Sequence, residues 1–344
     1  MCTEIDFTTT TLSRGTISTM KLCAACHTDL PKANFSKKQW KVDDSQRRCK
    51  SCIADNRELQ VQSQSTNNNE PERKKTKMDV VVSTLETMNI TDDDLIVPVT
   101  DEELFKQPPP KEDCPICFLS VPTLATGQKY MSCCGQILCS GCIHAPVYDD
   151  QGNVMQNGCP FCRKESPTTN EENLKRYKKR VKLGDSEALT SLGTFYNAGH
   201  LGLQQDSAKA VDLWRRGAKL GDHQCYHNIG NAYLRGVVVE HSMEKAEGYW
   251  KLAAIKGDPL SRHNLGKCEE MRGNFDRSIK HHLIATRLGD AESLDKIQSF
   301  YMMKIASKDD YQKALSNYQE YLGEIKSAQR DEAALSDERM NRYY

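Results

Sequence analysis

With 344 residues, 47 basic and 47 acidic side chains and 38% hydrophobic residues, the chain has room for two or three domains and a core in at least one of them. The balanced charge gives no global attraction to nucleic acid or to an anionic membrane. No stretch approaches the 18 apolar residues of a membrane span, and the opening MCTEIDFTTTTLSRGTISTM lacks the apolar run of a signal peptide. The expectation is a cytoplasmic or nuclear protein without a membrane partner. In that reducing setting, 15 cysteines set largely as C-x-x-C pairs argue for metal ligation rather than disulfides.

In chain order, residues 1–19 form a Ser/Thr-rich tail too polar to repay ordering entropy. Residues 20–56 hold Cys23, Cys26, Cys49 and Cys52, whose C-x2-C-x22-C-x2-C spacing reads as one structural zinc. Lys37, Lys38, Lys41, Arg47, Arg48 and Lys50 surround Phe35 and Trp40, a mix that can meet phosphates and stack on bases. So small a fold must bury its only large rings, which favours Phe35 and Trp40 as core. Residues 57–100, including QVQSQSTNNNEPERKKTK, read as a largely disordered linker, with RKKTK as a solvated charge run. In DEELFKQPPPKED the prolines stop a short helix just before a second cysteine region.

That region, 101–166 with its lead-in helix, runs CPIC, then YMSCCGQILCSGC, then GCPFCR. It resembles a RING finger, in which two zincs are cross-braced between alternate ligand pairs. The resemblance implies a first site of Cys114, Cys117, Cys139 and Cys142 and a second anchored by Cys159 and Cys162. Where the usual string carries histidine, this one has Gln136, and a glutamine amide is a poor zinc ligand. Cys133 is the nearest replacement, giving Cys133, Cys134, Cys159 and Cys162; His144 is the reserve candidate. With the N-terminal module, the expectation is three zincs per chain.

From 172 to 335 a repeat takes over. LGD, LGD, KGD and LGD place glycines at 184, 221, 257 and 289, and Trp214, Trp250, His282 and Tyr318 advance in step with them. A glycine can end one helix in the left-handed conformation while the next Asp caps the following one, so each pair marks a helix corner. Gly193, Gly230 and Gly266 leave room for a neighbouring helix, and the ring fills the space beyond. Units of this size stack into an all-α solenoid with a long groove. The strings SLGTFY, NIGNAY and NLGKCE resemble Sel-1-like repeats, relatives of the tetratricopeptide repeat, which implies a protein-binding scaffold. Cys225 and Cys268 read as small core residues, and 336–344 as a tail.

Closed four-ligand zinc sites shape a surface rather than activate water. In RING ubiquitin ligases that surface grips a ubiquitin-loaded conjugating enzyme, and the resemblance assigns Ile116 and Pro160 to that contact and Arg163 to positioning the loaded ubiquitin. The leading expectation is therefore a RING-type ubiquitin transferase, without a covalent intermediate on this chain, that recruits a protein substrate through the repeats. The alternatives are a non-enzymatic zinc-dependent adaptor and, against the balance of charge, a nucleic-acid-associated factor. The segment after Cys142 lacks the tryptophan of many active RINGs, and Pro146 interrupts the helix expected there.

Overall fold

A computed structural model describes strands β1 (Met20–Leu22) and β2 (Asp29–Pro31) and residues 90–336, apart from 93, 125–126, 149–150 and 156. The chain divides into two compact units, Met1–Lys74 and Lys75–Tyr344. In the first, β1 and β2 pair antiparallel with Met20 opposite Pro31. The N-terminal zinc site expected at Cys23, Cys26, Cys49 and Cys52, and the rings and cations around it, lie outside the described residues.

Among the described residues of the second unit, the first helix is short, α1 (Asp101–Leu104). A cysteine module follows, built of β3 (Gln128–Met131), β4 (Gln136–Cys139), α2 (Ser140–His144), β5 (Val147–Tyr148) and β6 (Val154–Met155). Ten helices complete it: α3 (Asn170–Val181), α4 (Ser186–Ala198), α5 (Ser207–Lys219), α6 (His223–Arg235), α7 (Met243–Ile255), α8 (Pro259–Met271), α9 (Phe275–Arg287), α10 (Ala291–Met302), α11 (Lys308–Ile325) and α12 (Ala328–Ser336). No helix among the described residues is long and apolar enough to cross a membrane.

The four Gly-Asp corners share one geometry. Gly184, Gly221, Gly257 and Gly289 have φ between 74° and 94°, and the next Asp N–H returns to a carbonyl five residues back, as Asp222 does to Gly217 at 3.2 Å. Each Asp carboxylate then accepts the amide three residues on, at 3.2 Å from Ala188, 2.9 Å from Cys225, 2.6 Å from Ser261 and 2.9 Å from Ser293. Each such cap is worth about 0.5 to 2 kcal/mol.

The helix glycines admit the rings. A Cβ on Gly193 would stand 2.4 Å from the Trp214 ring, one on Gly230 2.6 Å from Trp250, and one on Gly266 2.7 Å from His282. The fourth ring departs from the pattern, because α10 carries no glycine. It is Tyr321 that lies against a glycine, the corner Gly289, while Tyr318 is half-buried and stacks on it with 6.2 Å between centroids. Cys225 and Cys268 are buried in the core.

The expected linker ends earlier than its composition suggests. Residues 90–100 are not free: Ile90 and Leu95 are buried in the solenoid core, with Ile96 and Val99 packed against it. Asp92 accepts hydrogen bonds from Tyr249 (2.7 Å), Lys245 (2.9 Å), Arg215 (3.3 Å) and Tyr233. Further on, Asp101 pairs with Arg277, the Leu104 carbonyl accepts from Arg262, Phe105 packs on His281 at 4.8 Å, and Lys111 pairs with Glu324. This strap therefore runs along the repeats, touching α5–α7 around Asp92, α8 and α9 from Asp101 to Phe105, and α11 at Lys111. An acidic run reads as solvated until cations and phenols from three helices converge on one of its carboxylates.

The cysteine module closes the path. At one end Arg330 of α12, fully buried, donates to the carbonyls of Ser120 (2.8 Å), Leu119 (3.2 Å) and Ile325 (2.6 Å), and Tyr321 accepts the Thr123 amide at 3.3 Å. At the other, Tyr130 donates to Asp185 at 2.7 Å, Ser132 to Asn173 at 3.0 Å, and Arg180 lies over Gly135 while pairing with Asp185 at 2.6 Å. The module thus touches the last helices and the first ones.

Candidate metal centres and the module around them

Two knuckles with the same hydrogen bonds build the sites. In the first, the Phe118 amide bonds the Cys114 carbonyl at 2.8 Å and the Cys114 amide bonds Leu119 at 3.0 Å. In the second, the Arg163 amide bonds the Cys159 carbonyl at 2.8 Å and the Cys159 amide bonds Lys164 at 2.8 Å. Bridges Asp113 to Ser120 and Gly158 to Glu165 close each loop. The residue after the second cysteine takes the left-handed conformation in both, φ 57° at Phe118 and 60° at Arg163. Such a turn aims both thiols of a C-x-x-C pair to the same side.

The structure gathers the thiols of Cys114, Cys117, Cys139 and Cys142 into one cluster and those of Cys133, Cys134, Cys159 and Cys162 into another, each with its sulfurs within 4.8 Å of one another. Four sulfurs about 2.3 Å from a tetrahedral zinc stand about 3.8 Å apart. The sulfur separations are 3.7 Å for Cys117 to Cys139, 3.9 Å for Cys134 to Cys159, 4.0 Å for Cys133 to Cys134 and 3.4 Å for Cys133 to Cys162. These are far from the disulfide length of about 2.05 Å, and all eight cysteines are free thiols. Both clusters can therefore hold a metal ion, and the donor set is compatible with zinc.

The thiols are not alike. Burial, reinforced by neighbouring sulfurs, pushes the Cys133 and Cys142 thiols well up and Cys134 up to about 11, while against burial backbone amides hold Cys114 down at about 7 and Cys162 below the usual range. Four thiolates side by side are unfavourable alone; a divalent cation between them reverses the preference. The adjacent pair Cys133 and Cys134 reaches one cluster because the turn between β3 and β4 coils tightly, with the Cys134 and Gly135 amides both bonded to the Met131 carbonyl and Gly135 at φ 75°. Gln136 lies in β4 opposite Met131. His144 is exposed at the end of α2 and belongs to neither cluster. Helix α2 ends there, two residues before Pro146.

The surface residues singled out above divide between the knuckles. Ile116 is 37% exposed in the first; Pro160 is half-buried and Arg163 exposed in the second. Sequence reasoning passed over Phe118, 76% exposed, and Phe161, 46% exposed. An aromatic inside or just after a C-x-x-C pair is the signal that would have found them, since a knuckle has no interior to receive it. The faces turned toward the solenoid are instead those of α2, β3 and the first loop behind Cys117, where Arg330 comes within 3.9 Å of the sulfur.

Comparison with known proteins bears on the helical part. Residues 186–222 and 223–258 match the family model of the Sel1 repeat, so the chain carries Sel1 repeats; the first segment spans α4 and α5, the second α6 and α7. Over 112 residues, 32% of this chain, it is 28% identical to the ERAD-associated E3 ubiquitin-protein ligase component HRD3B of Arabidopsis thaliana, and the match spans 17% of that relative. Among solved structures, a Sel1 repeat protein from Oxalobacter formigenes is 24% identical, with 44% of this chain and 64% of that one covered at a TM-score of 0.39. A protective antigen with the SLR fold from uropathogenic Escherichia coli is 18% identical, covering 49% and 37%, also at 0.39.

Proposed function

We propose that the chain is a RING-type ubiquitin ligase whose Sel1 repeats recruit a protein substrate. The observation that carries the reading is the pair of matching knuckles: their paired thiols fit two cross-braced zincs, while Ile116 and Arg163 remain exposed. In this reading Ile116 and Pro160 dock a conjugating enzyme, and Arg163 holds its thioester-linked ubiquitin in a reactive pose. The attacking amine comes from the substrate and the leaving thiol from the partner, so the zincs supply shape and this chain supplies positioning. Three zincs per chain are proposed, the third on Cys23, Cys26, Cys49 and Cys52, with a cytoplasmic or nuclear setting.

The decisive experiment is discharge of ubiquitin from a panel of loaded conjugating enzymes. Acceleration by the wild-type chain, weakened docking in Ile116→Ala and slow discharge with intact docking in Arg163→Ala support the ligase. If no conjugating enzyme in the panel is accelerated, the second reading takes its place: an adaptor whose module binds without transferring. That reading draws on the similarity to HRD3B, named as a ligase component and matched over only part of this chain.

A further inference from the structure

The strap lies along successive helices of the solenoid, and it fits them unevenly. At Asp92 the fit is complete: burial alone would raise the carboxyl, yet bonds from Tyr233, Lys245 and Tyr249 and the charge of Arg215 hold it at about 2. Leu95 fills the core beside it. At Leu104 the fit is incomplete. Arg262 is fully buried, its Nε has no partner, and it meets only the Leu104 carbonyl; no carboxylate among the described residues pairs with it. An uncompensated buried guanidinium is costly, and an occupant bringing a negative charge relieves it.

We propose that the strap is an intramolecular stand-in for a partner segment, and that the repeats recognise an extended acidic-aliphatic peptide. The match calls for a carboxylate at the Asp92 position, a large aliphatic three residues on, and an acidic group near Arg262 that the strap lacks. A partner with that third feature outcompetes the strap, and without a partner the strap keeps the surface covered. This deepens the recruiting role proposed for the repeats and is independent of ubiquitin transfer.

The test uses the full chain and a fluorescent peptide with the sequence of residues 90–106. A vacated variant, Asp92→Lys with Leu95→Ser, should bind the peptide roughly tenfold or more tightly than wild type. Adding Arg215→Ala and Lys245→Ala should abolish the gain. A vacated variant that keeps its helicity and cooperative melting but binds no better than wild type overturns the proposal. Should that variant not fold, a protease site placed between Gln107 and Pro110 of the wild-type chain serves instead. After cleavage, excess peptide should displace the severed N-terminal piece, and its retention against a hundredfold excess overturns the proposal equally. Ubiquitin discharge enters neither arm, so failure here leaves the ligase reading intact.

Discussion

At Arg163 backbone and side chain make separable demands. The knuckle needs a left-handed residue, which for an L-side chain costs about 1 to 2 kcal/mol, and glycine would meet that need more cheaply. An arginine stands there at φ 60°, exposed to solvent. Arg163→Ala should leave metal content unchanged and shift stability by about 0.5 kcal/mol or less, while discharge falls on the order of a hundredfold. Arg163→Gly should lose discharge equally yet be more stable than the alanine variant by about 1 kcal/mol. A second test concerns Glu187, in the first turn of α4, which burial and the charges of Asp222, Asp185 and Glu112 push up to about 8. A carboxyl with a raised folded pKa favours folding in its protonated form, so stability is lost as pH climbs from near 4.5 to 8. Glu187→Gln should flatten that decline in pH-dependent thermal melts; an unchanged slope would place the titration elsewhere. At the residue scale, the C-x-x-C pairs were legible because their spacing is local, whereas their alternation between two sites was given only by the resemblance to a RING finger. Two of the three neighbours of Glu187, Glu112 and Asp222, come from distant segments, and no spacing announces them.

Helix α12 shows the limits of reading by element. Its sequence, AQRDEAALS, reads as a polar end to the last repeat, yet it carries the fully buried Arg330 against α2 and the first knuckle. Arg330→Met leaves three carbonyls short of a donor, and the loss should come to about 3 to 5 kcal/mol, read as a fall in denaturant midpoint with the module released first. The corners and the Gly-ring contacts were legible because each lies within one period. Gly230→Ala should force the Trp250 ring aside and cost about 1 to 3 kcal/mol, whereas alanine at Gly323, inside α11 with nothing within 4 Å of a Cβ, should stabilise by about 0.5 to 1 kcal/mol in the same melt. The strap was not legible, since its partners lie up to 213 residues away, as Glu324 does from Lys111, and its acidic composition resembles a linker.

For the molecule as a whole, a linear array of repeats has two free ends, and each repeat feels only its neighbours. Here the strap runs along the array and the cysteine module joins the last helices to the first, so the ends are tied together. Metal removal should therefore reach the repeats: a strong chelator should lower the melting temperature followed by helical circular dichroism, although no repeat carries a complete cysteine cluster. An unchanged helical melt would show the repeats to be independent of the module. From sequence alone the repeats read as a free-standing arm beginning near residue 172, because periodicity describes what repeats and not what closes them.

The placement of Arg330 sets an order of events during synthesis. It stands 213 residues after Cys117, whose sulfur it approaches, and ribosomes add roughly 5 to 20 residues per second. The first cluster is thus complete and open to solvent for roughly 10 to 40 s before the helix that shelters it has been made. Metal has that interval to arrive unhindered; afterwards, entry or escape on that side has to wait for α12 to lift.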